Sequence, residues 1–327
     1  MQKALVTGGT GFTGQALCAR LLRDGWSVSS FVRASSRVES LRRMGVECLE
    51  VDIGDPEQVM RAYQPVDAVF HVAAQYRTET PDRSAFTRIN VDATRNLLDA
   101  ARAKGVGRFV HCSTGGVHGH IEHPPADEDY RTQPNDHYQV SKWEGEQLAR
   151  RYFAEGLPGA VIRPAAIYGP GDLRFLKLFK AVQKGLFVMV GDGTPHYHLV
   201  YIDDLVEGFL RAATRPEAIG QVYIIAGPRS VMVRDLVDQV ADTLGCARPR
   251  LRVPHWPVHV AAVACEALCK PFGIPPPLYP RRVEFFVMQR SFTTTKAQRE
   301  LGYVPQVDNL QGLADTARWY REQGLIA

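Results

Sequence analysis

The sequence predicts an α/β protein, a doubly wound parallel sheet with a smaller C-terminal α/β domain. Short apolar runs alternate with helical patterns from the N-terminus to about residue 163, and a glycine cluster directly follows the first run. After Pro164 this rhythm gives way to Pro- and Gly-dense stretches such as IYGPGD, GDGTP and FGIPPPLYP. Strands of a parallel sheet are buried on both faces, so they read as continuous apolar runs separated by crossover helices.

Taken in order, Lys3–Thr7 (KALVT) reads as a buried strand, and Gln15–Leu22 as a helix closed by Asp24-Gly25. Ser27–Val32, Val46–Val51 and Val66–Val72 are the next strands. Asn90–Ala103 carries apolar residues at helical spacing and stops at Gly105. Arg108–Cys112 is a fifth strand, Tyr138–Tyr152 a helix and Gly159–Arg163 a further strand. Ligands of such sheets bind at the carboxyl ends of the strands, so the second domain is expected to roof that edge.

Composition narrows the function. The 327 residues are 45% hydrophobic and 23% charged, which excludes a largely disordered chain. Lys and Arg number 39 against 35 Asp and Glu, a net +4 that is too thin to indicate nucleic acid. The six cysteines form no CxxC, which points to a reducing compartment, and Cys265 and Cys269 read as small packed core residues. MQKALVTGG lacks the pattern of a targeting segment, and the apolar stretch Val258–Cys269 contains Glu266 and falls short of the ~20 residues a span needs. A cytoplasmic protein with no integral membrane segment is expected.

Gly8, Gly11 and Gly14 form G-x-x-G-x-x-G between a strand and a helix. Glycines there let phosphate oxygens approach the backbone, and the helix N-terminus offers unpaired N–H groups to a pyrophosphate. The alternative is an ordinary glycine turn; its placement right after KALVT favours a dinucleotide. The sheet is therefore expected to be of the Rossmann type. Residues 1–165 would form the NAD(P)-binding domain, rejoined by about 196–226. Residues 166–195 and 227–327 would form the substrate-binding domain. An acid after the second strand would bind the adenosine ribose of NAD, but Arg33, Ser35, Ser36 and Arg37 occupy that place. Two arginines suit a 2′-phosphate, so NADP is favoured over NAD; the bland reading is two solvated surface arginines.

Tyr138 and Lys142 make Y-Q-V-S-K, a spacing that puts both on one helix face. A nearby ammonium favours the phenolate and would let Tyr138 exchange a proton with an alcohol or carbonyl. Of the twelve tyrosines only Tyr138 has Lys four residues on. The pair alone is a weak signal, and its place in the chain order strengthens it.

These features resemble the extended short-chain dehydrogenase/reductase superfamily over nearly the whole chain. The matching segments are TGGTGFTG, Asp52-Ile53, HVAA at His71–Ala74, INVDATRNLLDAA from Ile89, RFVHCSTGGVHG from Arg108, YQVSK, IRPAAIYGPGD from Ile162 and VYIDDL from Val200. The resemblance implies an enzyme with Tyr138 as acid/base and Lys142 tuning it and holding the nicotinamide ribose. Thr114 would polarise the substrate oxygen, with Ser113 as the neighbour it is easily mistaken for. Asn90 would complete a tetrad by holding a relay water. Phe12 and Thr13 join the glycines at the cofactor, Asp52 and Ile53 border the adenine, and Ala73 and Ala74 pass under the nicotinamide ribose. Arg163 is expected at the nicotinamide wall; Gly115, Tyr168 and Tyr197 are expected at the substrate. The superfamily leaves room for a homodimer packed through helices 90–103 and 138–152.

Sugar-nucleotide epimerases of this superfamily carry an Arg-Asp pair where Tyr197 and His198 stand here, which removes the diphosphate's bidentate partner unless His196 or Arg282 replaces it. Gly115 and Gly116 after Thr114 argue against a dehydratase. The apolar C-terminal part is similar in character to the 3β-hydroxysteroid dehydrogenase and dihydroflavonol reductase branch. Trp256, Phe272, Phe285 and Phe286 would line a lid over a hydrophobic substrate, or else form the small domain's core. The expected reaction is interconversion of a secondary alcohol and its ketone on a small, rather apolar molecule. An epimerase with internal hydride return is the alternative, and an NADP-sensing regulator a remote one. His118, His120 and His123 are close enough for a metal site, but none is expected. Asp127, Glu128 and Asp129 read as a solvated acidic loop.

Overall fold

A computed structural model describes residues 1–76, 83–272, 274 and 276–327, with the side chains of Arg83, Arg281 and Arg282 outside that description. Seven strands build the central sheet: β1 (Lys3–Thr7), β2 (Ser27–Val32), β3 (Glu47–Glu50), β4 (Val66–His71), β5 (Val106–Cys112), β6 (Gly159–Pro164) and β7 (Val222–Ile225). Their order is β3-β2-β1-β4-β5-β6-β7, and every pairing is parallel. The crossovers reverse direction between β1 and β4, so this Rossmann-type sheet opens its ligand crevice at the carboxyl ends of those two strands.

Alternate residues of each strand feed two separate cores. Ala4, Val6, Ala68, Phe70, Val110 and Cys112 join the core on one face; Leu5, Val69 and Phe109 join the other. Helices Phe12–Arg23 and Ile202–Thr214 cover the first face, and Ala93–Lys104 and His137–Ala154 the second. β7 lies in the half where the sequence lost its rhythm, yet it closes the sheet beside β6.

Among the described residues before β6, three helices were not apparent from periodicity, Glu39–Met44, Pro56–Ala62 and Arg83–Thr87. All three are too short to show an apolar stripe. The helix expected from Asn90 begins as a π-helical turn, Arg88–Asp92, and turns regular only at Ala93. Beyond β6, helices Leu176–Gln183, Val233–Leu244, His255–Cys269 and Pro280–Val287 accompany three two-stranded pairs. Helix Asn309–Glu322 packs back against Val233–Leu244. Among the described residues, no helix is long and apolar enough to cross a membrane.

Candidate active site

The glycine-rich loop leaves β1 and is shaped by close approach. Gly8 has φ 75°, and a Cβ there would sit 2.8 Å from the Ala73 backbone. A Cβ on Gly14 would lie 2.1 Å from the Gly8 carbonyl oxygen. The loop is thus pressed between helix Phe12–Arg23 and the segment after β4, where no side chain fits. Gly11 caps that helix without a side-chain hydrogen bond, and its first turn holds no acid. The N–H groups of Phe12, Thr13 and Gly14 are therefore open to an anion. A dinucleotide pyrophosphate fits this cradle.

Neighbouring residues hold the crevice floor. Thr7 Oγ1 bonds His71 Nδ1 at 2.8 Å and accepts from the Ala73 N–H at 3.3 Å. His71 Nε2 meets Thr94 Oγ1 at 2.9 Å. Ala73 is half-buried and Ala74 exposed along the rim. At the far end of β2, Arg33 and Arg37 are exposed and have no ion-pair partner among the described residues. Ser36 Oγ accepts from the Arg33 N–H at 3.2 Å, which orders the turn between them. The Asp52 carboxylate pairs with Arg88 and accepts from Gly54 N–H, and Ile53 is buried beside it.

Tyr138 and Lys142 lie one turn apart on His137–Ala154, whose start is capped by Asp136 accepting from Gln139 N–H at 2.9 Å. The Tyr138 ring meets Tyr76 edge-on at 4.8 Å. Burial pushes its phenol well above the ordinary value; Cys112, Tyr76 and Asp136 act the same way, and Arg174 is the cation opposing them. Lys142 is 1% exposed, and burial lowers its ammonium while Cys112 and Glu146 favour the charged form. Thr114 caps a short turn over Gly115–His118 by accepting from Gly116 N–H at 3.1 Å. One of its two lone pairs is engaged there, and its hydroxyl hydrogen is the group that can bond a substrate carbonyl oxygen.

Asn90 is a clamp. Its Oδ1 accepts from Gln75 N–H at 2.8 Å, and its Nδ2 donates to Gln75 O at 3.1 Å and Ser141 Oγ at 2.8 Å. Ser141 Oγ donates in turn to Tyr138 O at 2.9 Å. Asn90 thereby ties the segment carrying Tyr76 to the helix carrying Tyr138. Its backbone oxygen accepts from Thr94 Oγ1 at 2.9 Å.

Several expected site residues lie elsewhere. Arg163 is 1% exposed, and its guanidinium is paired with Glu146 at 2.6 Å, faces His118 Nε2 at 3.2 Å and donates to Glu128 O at 2.9 Å. It is a core cation, and its side chain is not available to a cofactor. Glu146 also accepts from Ser113 Oγ at 2.6 Å, which separates buried Ser113 from half-buried Thr114. Tyr168 is 1% exposed and packs against the C-terminal helix, where Gly312 leaves room for its hydroxyl. It is core, not substrate wall. Gly115 is buried beneath Phe292 and Pro164 O.

Glu128 is not solvated either, since its carboxylate accepts from Ile224 N–H at 2.8 Å and so satisfies the edge strand β7. Of the three close histidines, His118 is buried on Arg163 while His120 Nδ1 accepts from Gln289 N–H. Among the described residues, no cluster is placed to hold a metal.

Tyr197 is half-buried, its ring 5.1 Å from Phe285 and 6.5 Å from Phe175. His198 bridges Gly227 O at 3.0 Å and Phe292 N–H at 3.2 Å, and burial lowers its imidazole to about 4. Both ring nitrogens being engaged, it offers nothing to a diphosphate. His196 is half-buried, and the side chain of Arg282 lies outside the described residues.

The residue that sequence reasoning missed is Arg174. Its Nε donates to Asp172 at 2.6 Å and Nη2 to Ile167 O at 2.7 Å, with the guanidinium 5.7 Å from the Phe12 ring centre. Its charge, balanced by Asp172, bears on Tyr138, Tyr76 and Tyr197. No spacing rule marks it; the only hint is its place two residues after Asp172 in YGPGDLR.

Comparison with known proteins matches residues 4–226 to the NAD dependent epimerase/dehydratase family. The chain is 32% identical to a 2-alkyl-3-oxoalkanoate reductase of Stenotrophomonas maltophilia, covering 95% of this chain and 97% of that one. It is also 32% identical to a 3 beta-hydroxysteroid dehydrogenase/Delta 5-->4-isomerase of Mycobacterium tuberculosis, covering 97% and 90%. The crystal structure of gox2253 superposes with a TM-score of 0.85 at 29% identity and full coverage of both chains. A UDP-glucose 4-epimerase of Thermotoga maritima, solved with UDP-glucose, gives 0.80 at 25% identity over 98% of this chain and 99% of that one.

Proposed function

The chain belongs to the NAD-dependent epimerase/dehydratase family and is a nicotinamide-dependent enzyme, and from that premise we propose that it interconverts a secondary alcohol and its ketone on an apolar substrate. The observation that carries this reading is the half-buried Tyr138 set edge-on against Tyr76 of the segment after β4, with Lys142 buried one turn below it on the same helix. The bound nicotinamide supplies or accepts the hydride. Tyr138 holds the proton at its phenol oxygen, donating it to a carbonyl in reduction and taking it from an alcohol in oxidation. Thr114 donates a hydrogen bond to the same substrate oxygen and orients it. Arg174 sets positive charge against the burial cost of the phenolate, and Lys142, one turn away on the same helix, is the second cation assigned to that task. Tyr197, Phe285 and Phe286 offer an apolar wall, in keeping with relatives whose names are those of an oxoalkanoate reductase and a steroid dehydrogenase.

Replacing Arg174 with Gln removes a cation that lowers the Tyr138 phenol, so that phenol rises further. Oxidation needs the phenolate, so its activity is expected to begin at higher pH in Arg174→Gln than in the parent. A pH profile of alcohol oxidation on folded protein reads this directly. An unshifted profile would remove Arg174 from the site's electrostatics.

We assign NADP as the preferred cofactor, because the second strand is followed by two exposed arginines without an ion-pair partner among the described residues, and by no acid before Glu39. Each charge-assisted contact to a 2′-phosphate is worth about 1.5–3 kcal/mol. Arg33→Ala and Arg37→Ala should each weaken NADP binding by about tenfold or more and leave NAD binding nearly unchanged. Titration calorimetry with both nucleotides tests this, and equal losses for NAD and NADP would sink the assignment.

A further inference from the structure

Helix His255–Cys269 is out of keeping with the rest of the domain. Ala262 is its one buried residue. Val258 and Ala262 rest on a small cluster with Val190, Val253 and Val283. The opposite side is bare: Trp256 is 71% exposed, Val260 59%, Val263 48% and Leu268 70%. Positions 256, 260, 263 and 267 follow helical spacing, so Trp256, Val260 and Val263 form one stripe with Ala267, and Leu268 stands to one side of it. The apolar surface continues past the helix through Phe272 and Ile274, which are 76% and 55% exposed. Instead of a polar outer face, the helix carries a single charged side chain, Glu266. At 71% and 76% exposure, Trp256 and Phe272 are not domain core. Cys265 and Cys269 are half-buried on a mostly bare helix rather than packed in the core.

The charge around this surface is one-sided. Residues 245–283 contain six Lys and Arg against the one acid, Glu266; Arg248 is paired with Asp242 and Lys270 with Glu266, which leaves Arg250 and Arg252 as the unbalanced cations whose side chains are described. Arg250 and Arg252 are exposed just before the helix, and Lys270 just after it is exposed but paired with Glu266 at 3.2 Å. We propose that this helix is an interfacial anchor that lies flat on an anionic lipid surface, with Trp256, Val260, Val263 and Leu268 among the acyl chains and the flanking cations on the headgroups. At about 1.5 Å per residue its fifteen residues reach about 22 Å, short of the ~30 Å hydrocarbon core, so it lies on the bilayer and does not cross it. Exposed apolar side chains favour insertion at the headgroup boundary, Trp suits that depth, and Lys and Arg are drawn to anionic lipid. A second copy of this chain is a poorer occupant. Two such helices packed antiparallel across a two-fold would offer Arg250 and Arg252 of one only the Lys270–Glu266 pair of the other, whose charges already cancel.

The test is flotation of the full-length protein with vesicles of phosphatidylcholine alone and of phosphatidylcholine mixed with phosphatidylglycerol. It is independent of the catalytic reading. Binding is expected at least about tenfold stronger to the anionic vesicles and weakened by salt. The double variant Val260→Glu/Leu268→Glu should abolish it; both positions are exposed, so its thermal unfolding should match the parent. If that variant does not fold, Arg250→Glu/Arg252→Glu serves, with loss of the anionic preference expected. Absence of flotation with either vesicle, or flotation unchanged in the variants, overturns the proposal. So does a dimer in lipid-free solution that the apolar double variant dissociates, because the face would then be covered by a second copy.

Discussion

Tyr138→Phe is expected to lower turnover by about 10²–10⁴-fold, the range that a positioned acid/base contributes. The substitution removes one oxygen and keeps the ring, so the edge-on contact with Tyr76 at 4.8 Å is retained. Nothing in the glycine cradle changes, and cofactor affinity should stay within about twofold, a difference of ~0.4 kcal/mol. Equilibrium binding of the reduced cofactor, measured beside turnover, separates the two effects. Turnover that survives the change would exclude Tyr138 as the proton donor.

The second large effect is expected away from the cleft. Arg163→Leu leaves Glu146 as an unpaired carboxylate in a fully buried site, with only Ser113 and its neighbours to solvate it. Breaking a buried pair by removing one partner costs about 3–5 kcal/mol. The Arg163 bonds to Glu128 O and His118 are lost as well. Urea denaturation should show the loss, while the cofactor dissociation constant of the folded variant stays near that of the parent. A variant of normal stability that binds cofactor poorly would return Arg163 to the cofactor wall.

The contrast between these two residues shows what the chain makes legible. Strands β1, β2, β4 and β6 could be read to within a residue or so, because buried parallel strands are apolar on both faces and end at glycine, proline or a loop. Tyr138 and Lys142 could be paired because helix spacing relates residues four apart. No such rule relates Arg163 on β6 to Glu146 on helix His137–Ala154, and Tyr168 is made core by Gly312 far along the chain. The helix Pro56–Ala62 did leave a signal: Asp55 before Pro56 is an N-cap followed by proline, and Asp55 accepts from Glu57 and Gln58 N–H. The π-helical turn at Asn90 left none that periodicity could detect. Arg174 was hidden for another reason, since its importance lies in Phe12, Tyr76, Tyr138 and Tyr197, which arrive from four separate segments.

The same limit governs substrate choice. Tyr197-His198 in place of an Arg-Asp pair argues against a diphosphate, and the bridge from His198 to Gly227 and Phe292 strengthens the point. The apolar residues of the C-terminal part divide into two groups. Phe285 and Phe286 turn inward toward Tyr197 and Phe187, whereas Trp256 and Phe272 face solvent. Hydropathy alone treats all four alike.

The most direct test of the central claim, net alcohol–ketone interconversion, is to follow reduced nicotinamide absorbance when the purified enzyme is mixed with NADPH and a panel of apolar ketones. Stoichiometric loss of the reduced cofactor with formation of the secondary alcohol, abolished in Tyr138→Phe, is the predicted result. The contradicting result is a nucleotide retained through purification, released only on denaturation, with a sugar nucleotide epimerised and no net change in cofactor oxidation state.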